Sequence, residues 1–279
     1  MKKWNYICLA LIAVCLALFF GYRTWDQLRT DSTAPQIHIS SEIPSISVHD
    51  PESVLLAGIT ATDNRDGDVT DSLLVEKLQL ADSSGNVNVT CVAFDAAGNV
   101  SRAVYTVNYS DYESPTIRFT RPLAFPQNTS FEVLDIVLAE DVVDGDLSAK
   151  VRATSLSEMN LSTRGTHDVE FRVTNSLGDT VKLVVPVEVY PAGLYNASVT
   201  LTDYLVHLPR NAQFDAEDYL SSFTGGGTAY SLQGNIPQEL SLKITEDVDT
   251  AVPGTYCVDY QISKGSDIGY SRLIVIVEG

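Results

Sequence analysis

The sequence repeats itself, and that most constrains its fold. The segment D-S-T-A-P-Q-I from Asp31 returns as D-Y-E-S-P-T-I from Asp111, 80 positions on. The segment D-N-R-D-G-D-V from Asp63 returns as D-V-V-D-G-D-L from Asp141, 78 positions on. Val92 and Phe94 pair with Val169 and Phe171 at a spacing of 77. Landmarks in one order at one period define units of about 75 to 80 residues, each large enough for one small core. A third unit is fainter. P-G-T-Y-C-V-D-Y from Pro253 matches G-T-H-D-V-E-F from Gly165, and S-R-L-I-V-I-V-E from Ser271 matches the valine-rich V-K-L-V-V-P-V-E-V from Val181. The third unit has no D-G-D turn and no D-x-x-x-P linker before it.

Within the units, apolar and polar residues alternate. Val169, Phe171 and Val173 fall on one face of residues 167–174, and Tyr256, Val258, Tyr260 and Ile262 on one face of residues 256–262. Period-two runs broken by Gly, Asn, Asp and Pro read as antiparallel strands with one wet face. Beyond residue 29 no stretch keeps a helical period. The expected class is all-β: β-sandwiches over residues 30–111, 112–191 and 192–279, preceded by a separate N-terminal segment, 1–29.

That segment reads as a membrane anchor. Ile7 to Tyr22 carries no charge over 16 residues, and counting from Trp4 brings the span to 19, near the roughly 20 needed to cross a bilayer. Lys2 and Lys3 place the tail in the cytoplasm and everything beyond about residue 24 outside. The expected localisation is therefore the cell membrane, single-pass, with extracellular C-terminal domains. A cleaved signal peptide is the rival, but bulky Leu18, Phe19 and Phe20 stand where a peptidase needs small residues. Lipidation at Cys15 is a third option, disfavoured because the apolar run continues past it.

Composition narrows the partners. The formal net charge is −18, and four of the 18 basic residues (Lys2, Lys3, Arg23 and Arg29) flank the N-terminal apolar run, so the remainder is more acidic still. Such a chain repels nucleic acid, which is excluded as a partner. Four cysteines are too few for a disulfide scaffold. Cys91 and Cys257 sit at like positions of different units, and both are expected to face outward as free thiols. No G-x-S-x-G or H-E-x-x-H motif occurs and the four histidines are scattered, so no enzyme and no catalytic residue is expected. Six N-x-S/T sequons, at Asn88, Asn99, Asn108, Asn128, Asn160 and Asn196, read as chance matches in an Asn-, Ser- and Thr-rich chain.

The run A-T-D-N-R-D-G-D-V-T from Ala61, followed by A-F-D-A-A-G-N from Ala93, resembles the bacterial immunoglobulin-like repeat of tandem surface proteins. The same repeat occurs in the tail of some insecticidal crystal toxins and is similar to hyalin-type repeats. The second unit keeps D-x-x-D-G-D and replaces A-G-N by Asn175, Ser176, Leu177 and Gly178; the third keeps mainly Gly254, Thr255, Tyr256 and Tyr260. The resemblance implies immunoglobulin-like sandwiches in an extracellular adhesion module or spacer that presents a distal binding domain. It implies no catalysis and names no ligand. A cell-wall or host glycan-binding module is the alternative.

Two sets of residues are candidates for binding. Asp63, Asp66 and Asp68, with Asp95 from a neighbouring loop, could give oxygen ligands to calcium. The competing and favoured reading is a turn, in which the carboxylates cap local backbone N–H groups and Gly67 supplies a left-handed residue. On that reading there is no cofactor. In the third unit the Gly-rich segment 221–239 reads as a long loop whose Phe223 and Tyr230 either contact an extracellular protein or glycan or tuck into the core.

Overall fold

A half-apolar strand needs hydrogen-bonded neighbours and a second layer against its apolar face, and each repeat supplies both. In the computed structural model residues 2–39, 44–129, 133–154 and 162–279 are described; the sequon at Asn160 lies outside them. The chain divides into two compact units, Met1–Tyr112 and Glu113–Gly279.

The first unit opens with helix α1 (Lys2–Arg29) and continues through β1 (Gln36–His38), β2 (Ser45–Ile46), β3 (Thr60–Asp63), β4 (Gly67–Asp68), β5 (Leu74–Leu80), β6 (Asn86–Phe94) and β7 (Val100–Tyr109). One sheet runs β1-β3-β4 and the other β2-β7-β6-β5. All pairings are antiparallel except β2 with β7. Val87, Val89, Cys91 and Ala93 of β6 face inward and are fully buried, with Ala61 and Val107.

Helix α1 corrects the expected transmembrane anchor. Among the described residues no helix is long and apolar enough to cross a membrane. The uncharged run Ile7–Tyr22 has 16 residues, or about 24 Å of helix at 1.5 Å per residue. The hydrocarbon core is about 30 Å thick. The expected span closed that gap only by counting Trp4, polar Asn5 and Tyr6. A transmembrane helix in the fold, and with it a single-pass membrane localisation, is therefore not supported.

The second unit holds two sandwiches. Its first comprises β8 (Thr116–Phe119), β9 (Ala124–Pro126), β10 (Val137–Asp141), β11 (Gly145–Asp146), β12 (Arg152–Thr154), β13 (Gly165–Thr174) and β14 (Thr180–Tyr190). The sheets β11-β10-β8 and β12-β13-β14-β9 repeat the topology of the first unit, including a parallel pairing of β9 with the closing strand β14. Its partner comprises β15 (Ala197–Leu201), β16 (Leu205–Leu208), β17 (Leu220–Gly225), β18 (Thr228–Ser231), β19 (Ser241–Glu246), β20 (Gly254–Lys264) and β21 (Asp267–Val277). Here the strands join in one seven-stranded sheet of order β18-β17-β15-β21-β20-β19, with β16 off that path, because β21 pairs in parallel with β15 at its start and β16 at its end.

The apolar interiors of these two sandwiches form one continuous cluster, from Ile117 and Phe171 to Tyr260 and Val277. Arg272 of β21 spans them. Its Nε and Nη2 donate to the two carboxylate oxygens of Asp259 at 2.6 and 3.0 Å, and its Nη1 reaches Glu188 Oε2 on β14 at 3.5 Å. Beside it the ring of Tyr270 stacks on Tyr195, and both meet Tyr190 edge-on.

The structure also re-registers the repeat. The turn after β6, where Gly98 N donates to Asp95 O, matches the turn after β13, where Gly178 N donates to Asn175 O. The true spacing there is 80, so Cys91 corresponds to Phe171 and Ala93 to Val173. Matching at 77 slipped by an odd number of residues, which turns a strand over. Hence Cys91 points into the core rather than outward, and Phe94 is exposed. Cys257 is half-buried, and all four cysteines are free thiols.

Candidate functional site

The D-x-x-D-G-D segments build the same corner in both repeats. Asp63 Oδ1 accepts from Arg65 N and Asp66 N at 2.8 and 3.0 Å; Asp141 Oδ1 accepts from Val143 N and Asp144 N at 2.9 and 2.8 Å. The second Asp reaches across to the neighbouring loop, Asp66 to Ala96 N at 2.8 Å and Asp144 to Ser176 N at 2.7 Å. The third closes the next turn, Asp68 on Thr70 N and Asp146 on Ser148 N. Gly67 and Gly145 sit at φ of 74° and 72°, a region glycine enters freely. Hydrogen bonds from Asp66 N and then Arg65 N hold the Asp63 carboxyl below the usual carboxylate range, and Thr70 does the same for Asp68.

Of the four acidic residues singled out in the sequence, Asp66 and Asp68 are thus occupied with backbone N–H groups. Asp63 and Asp95 do come together, and the residue that joins them is Asp31, from the segment ahead of β1. Carboxylate oxygens of Asp31, Asp63 and Asp95 lie within 4.8 Å of one another, the one such group of three among the described residues. Sequence reasoning passed over Asp31 as a linker charge. Its recurrence as Asp111 in the D-x-x-x-P landmark was the available signal.

In the third sandwich the segment 221–239 is not one long loop. β17 and β18 form a hairpin, pairing Gly225 with Thr228 and Phe223 with Tyr230. Phe223 is 0 % exposed, its ring lying over Gly225 and Gly269. It is a core residue and no binding platform. Tyr230 is half-buried, with the Lys264 ammonium 4.4 Å above its ring centroid. The rest of the segment lines a cleft of about 600 Å³, where Gln233, Asn235 and Ile236 face Asp215, Glu217 and Asp218. A second cleft, of about 680 Å³, opens in the second unit between Arg118, Glu140 and Lys182 on one side and Leu205, His207 and Glu278 on the other.

No protein-family model matches the chain. An uncharacterized 81.3 kDa protein of Acholeplasma phage L2 is 27 % identical over 220 residues, covering 72 % of this chain and 29 % of that protein. The pesticidal crystal protein Cry22Aa of Bacillus thuringiensis is 28 % identical over 125 residues, covering 45 % of this chain and 16 % of that protein. The chain spans less than a third of the length of these curated relatives. Among solved structures, a protocadherin gammaB7 EC3-6 fragment aligns at 12 % identity over 88 % of this chain and 74 % of that one, with a TM-score of 0.21. At that score the two chains do not superpose as wholes.

Proposed function

We propose that this chain is a non-catalytic extracellular module of immunoglobulin-like repeats, acting in adhesion or as a spacer that presents a binding domain. The observation that carries the reading is the joint within the second unit. One apolar cluster runs through both sandwiches, and Arg272 ties β14 to β20 and β21. Domains linked only to fold side by side do not need a shared core; a spacer that must keep its length does. The sequence similarity to part of Cry22Aa supports assigning the repeats to the bacterial immunoglobulin-like type. NMR relaxation of the full chain tests the joint. Backbone amides of residues 113–190 and 197–277 should report one rotational correlation time. Two distinct times would sink the rigid joint.

The cleft beside Gln233 favours a glycan as the partner of that domain. Two amide side chains among three carboxylates present the donors and acceptors that bind sugar hydroxyls, and the acidic lining disfavours anionic ligands. Binding of the full chain to an array of neutral glycans, lost in Gln233→Ala and Asn235→Ala, is the expected result. Retention of binding in both variants moves the contact elsewhere and leaves an extracellular protein partner as the alternative.

A further inference from the structure

We propose that Asp31, Asp63 and Asp95 form a calcium site that ties the chain entering the first sandwich to two of its loops. Three carboxylates this close repel one another, so what neutralises them decides whether the arrangement is stable. The hydrogen bonds around them do not. Asp31 Oδ1 accepts from Thr33 N at 3.0 Å, and Asp63 Oδ1 takes the two turn amides described above. Asp95 accepts from Asn99 N and Asn99 Nδ2 at 2.7 and 2.6 Å. That leaves Asp31 Oδ2 and Asp63 Oδ2, both buried and both without a hydrogen-bond partner. The Asp31 side chain is only 8 % exposed and forms an ion pair with Arg65, whose Nε stands 3.9 Å from Oδ2. The Arg65 side chain is itself 44 % exposed, so it offsets the three negative charges only in part, and at that distance it gives Oδ2 no hydrogen bond. Buried carboxylate oxygens left in this way are costly unless a charge completes them.

The second repeat shows how the same corner is closed without a metal. There Asn175 stands where the first repeat has Asp95, and its Nδ2 donates to Asp141 Oδ2 at 3.1 Å. The counterpart of that oxygen in the first repeat is the orphan Asp63 Oδ2, which faces a second carboxylate and has no amide. The counterpart of Asp31 is Asp111, whose carboxylate is already taken by Ser47 Oγ and Val48 N at 2.6 and 2.9 Å. One repeat therefore completes its corner with a neutral amide, and the other gathers three acids around a gap.

The ligand chemistry points to calcium. All the donors are carboxylate oxygens, as a hard cation requires, with no nitrogen or sulfur to attract zinc or copper. Calcium–oxygen distances of about 2.3–2.6 Å place opposite ligands on one ion no more than about 5 Å apart, and the three oxygens fall inside that limit at 4.8 Å. Three protein ligands leave further positions for water. The backbone carbonyl of Asp31, which accepts from Asn99 Nδ2 at 3.2 Å, keeps the entering segment in place.

The test is calcium titration of the metal-stripped full chain, by calorimetry and by thermal unfolding, with magnesium alongside. The expected result is one calcium per chain and an unfolding temperature raised by about 5 °C or more at hundredfold excess over Kd, with a weaker response to magnesium. Asp31→Asn and Asp95→Asn should each abolish both responses. Asp95→Asn should also melt no lower than the metal-stripped parent, because it installs the amide that the second repeat uses. Asp68→Asn, in the same motif but engaged with Thr70, should keep calcium binding. No response of the parent to 10-millimolar-order calcium (about 10 mM, beyond the roughly millimolar range of weak extracellular sites) overturns the site, as does a response that survives Asp31→Asn and Asp95→Asn. Should Asp95→Asn fail to fold, Asp31→Asn decides alone, since Asp31 lies outside every strand.

Discussion

Replacing Arg272 by Met removes the guanidinium at the joint of the second unit and keeps much of the apolar stem. Arg272 is 7 % exposed in its side chain, while Asp259 and Glu188 are 33 % and 23 % exposed. Breaking a fully buried ion pair costs about 3–5 kcal/mol, because a charge is stranded. Here the carboxylates left behind can partly rehydrate, and Asp259 keeps the Tyr270 hydroxyl at 2.5 Å. The loss should therefore be smaller, about 2–3 kcal/mol. In urea that lowers the midpoint of the second unit by roughly 1 M, at an m-value of about 2–3 kcal/mol/M. Both tryptophans, Trp4 and Trp25, lie in α1, so the reporter should be the near-UV circular dichroism of tyrosine, for which Tyr190, Tyr195 and Tyr270 are well placed. Asp259→Asn and the double variant complete a cycle whose expected coupling energy is about 2 kcal/mol. A coupling below about 0.5 kcal/mol, as for exposed pairs, would refute the claim that this bridge holds the joint.

Phe223→Ala should destabilise the third sandwich by about 3–5 kcal/mol through the cavity it leaves, while Tyr230→Ala, half-buried, should lose less than half as much; equal small losses in urea unfolding would contradict the core placement. Asp68, Asp111 and Asp146 have carboxyls held below the ordinary 3.8, first by the hydroxyl hydrogen bonds of Thr70, Ser47 and Ser148. A depressed folded pKa adds stability above the unfolded value and loses it as pH falls through the folded one, so melting temperature should be level from about pH 7 to 5 and fall below about pH 4. A Tm that rises on acidification to pH 3 would contradict this. Of the four thiols, exposed Cys8 and Cys15 should react rapidly with a disulfide reagent at pH 8; buried Cys91, whose thiol burial pushes up, should react only on unfolding, and half-buried Cys257, which burial pushes up to about 11, should react far more slowly than the exposed pair.

What the sequence made legible was local. Val169, Phe171 and Val173 alternate because one sheet face is buried, and the D-G-D turn follows from the capping chemistry of Asp and the conformational range of Gly. The hairpin between β17 and β18 was legible too and was misread. Gly226 and Gly227, at φ of 55° and 77°, make the two-residue turn that a Gly-Gly pair signals between strands, and Gly richness was taken for a loop. The cluster of Asp31, Asp63 and Asp95 was legible only in part, because its members come from three separated segments that meet through tertiary packing. Helix α1 shows the reverse error. Its apolar run is plain in the sequence, but its length depended on residues at the edge of the pattern.

The parallel pairing of an early strand with the closing strand of each sandwich has a mechanical consequence. β2 lies along β7, β9 along β14, and β16 along β21. Tension applied at the two ends of a sandwich pulls such a pair along its own length in opposite directions. The inter-strand bonds are then loaded in shear, all at once, instead of being peeled open one by one. In the third sandwich the four-residue register from Leu205 to Leu208 is closed at its ends by Ile274 N on Tyr204 O and Glu278 N on Leu208 O. In the first, among the described residues, the register is two residues long. A chain pulled from both ends should yield at the first sandwich before the third, and an ion bound at Asp31 would sit at the point where that pull enters.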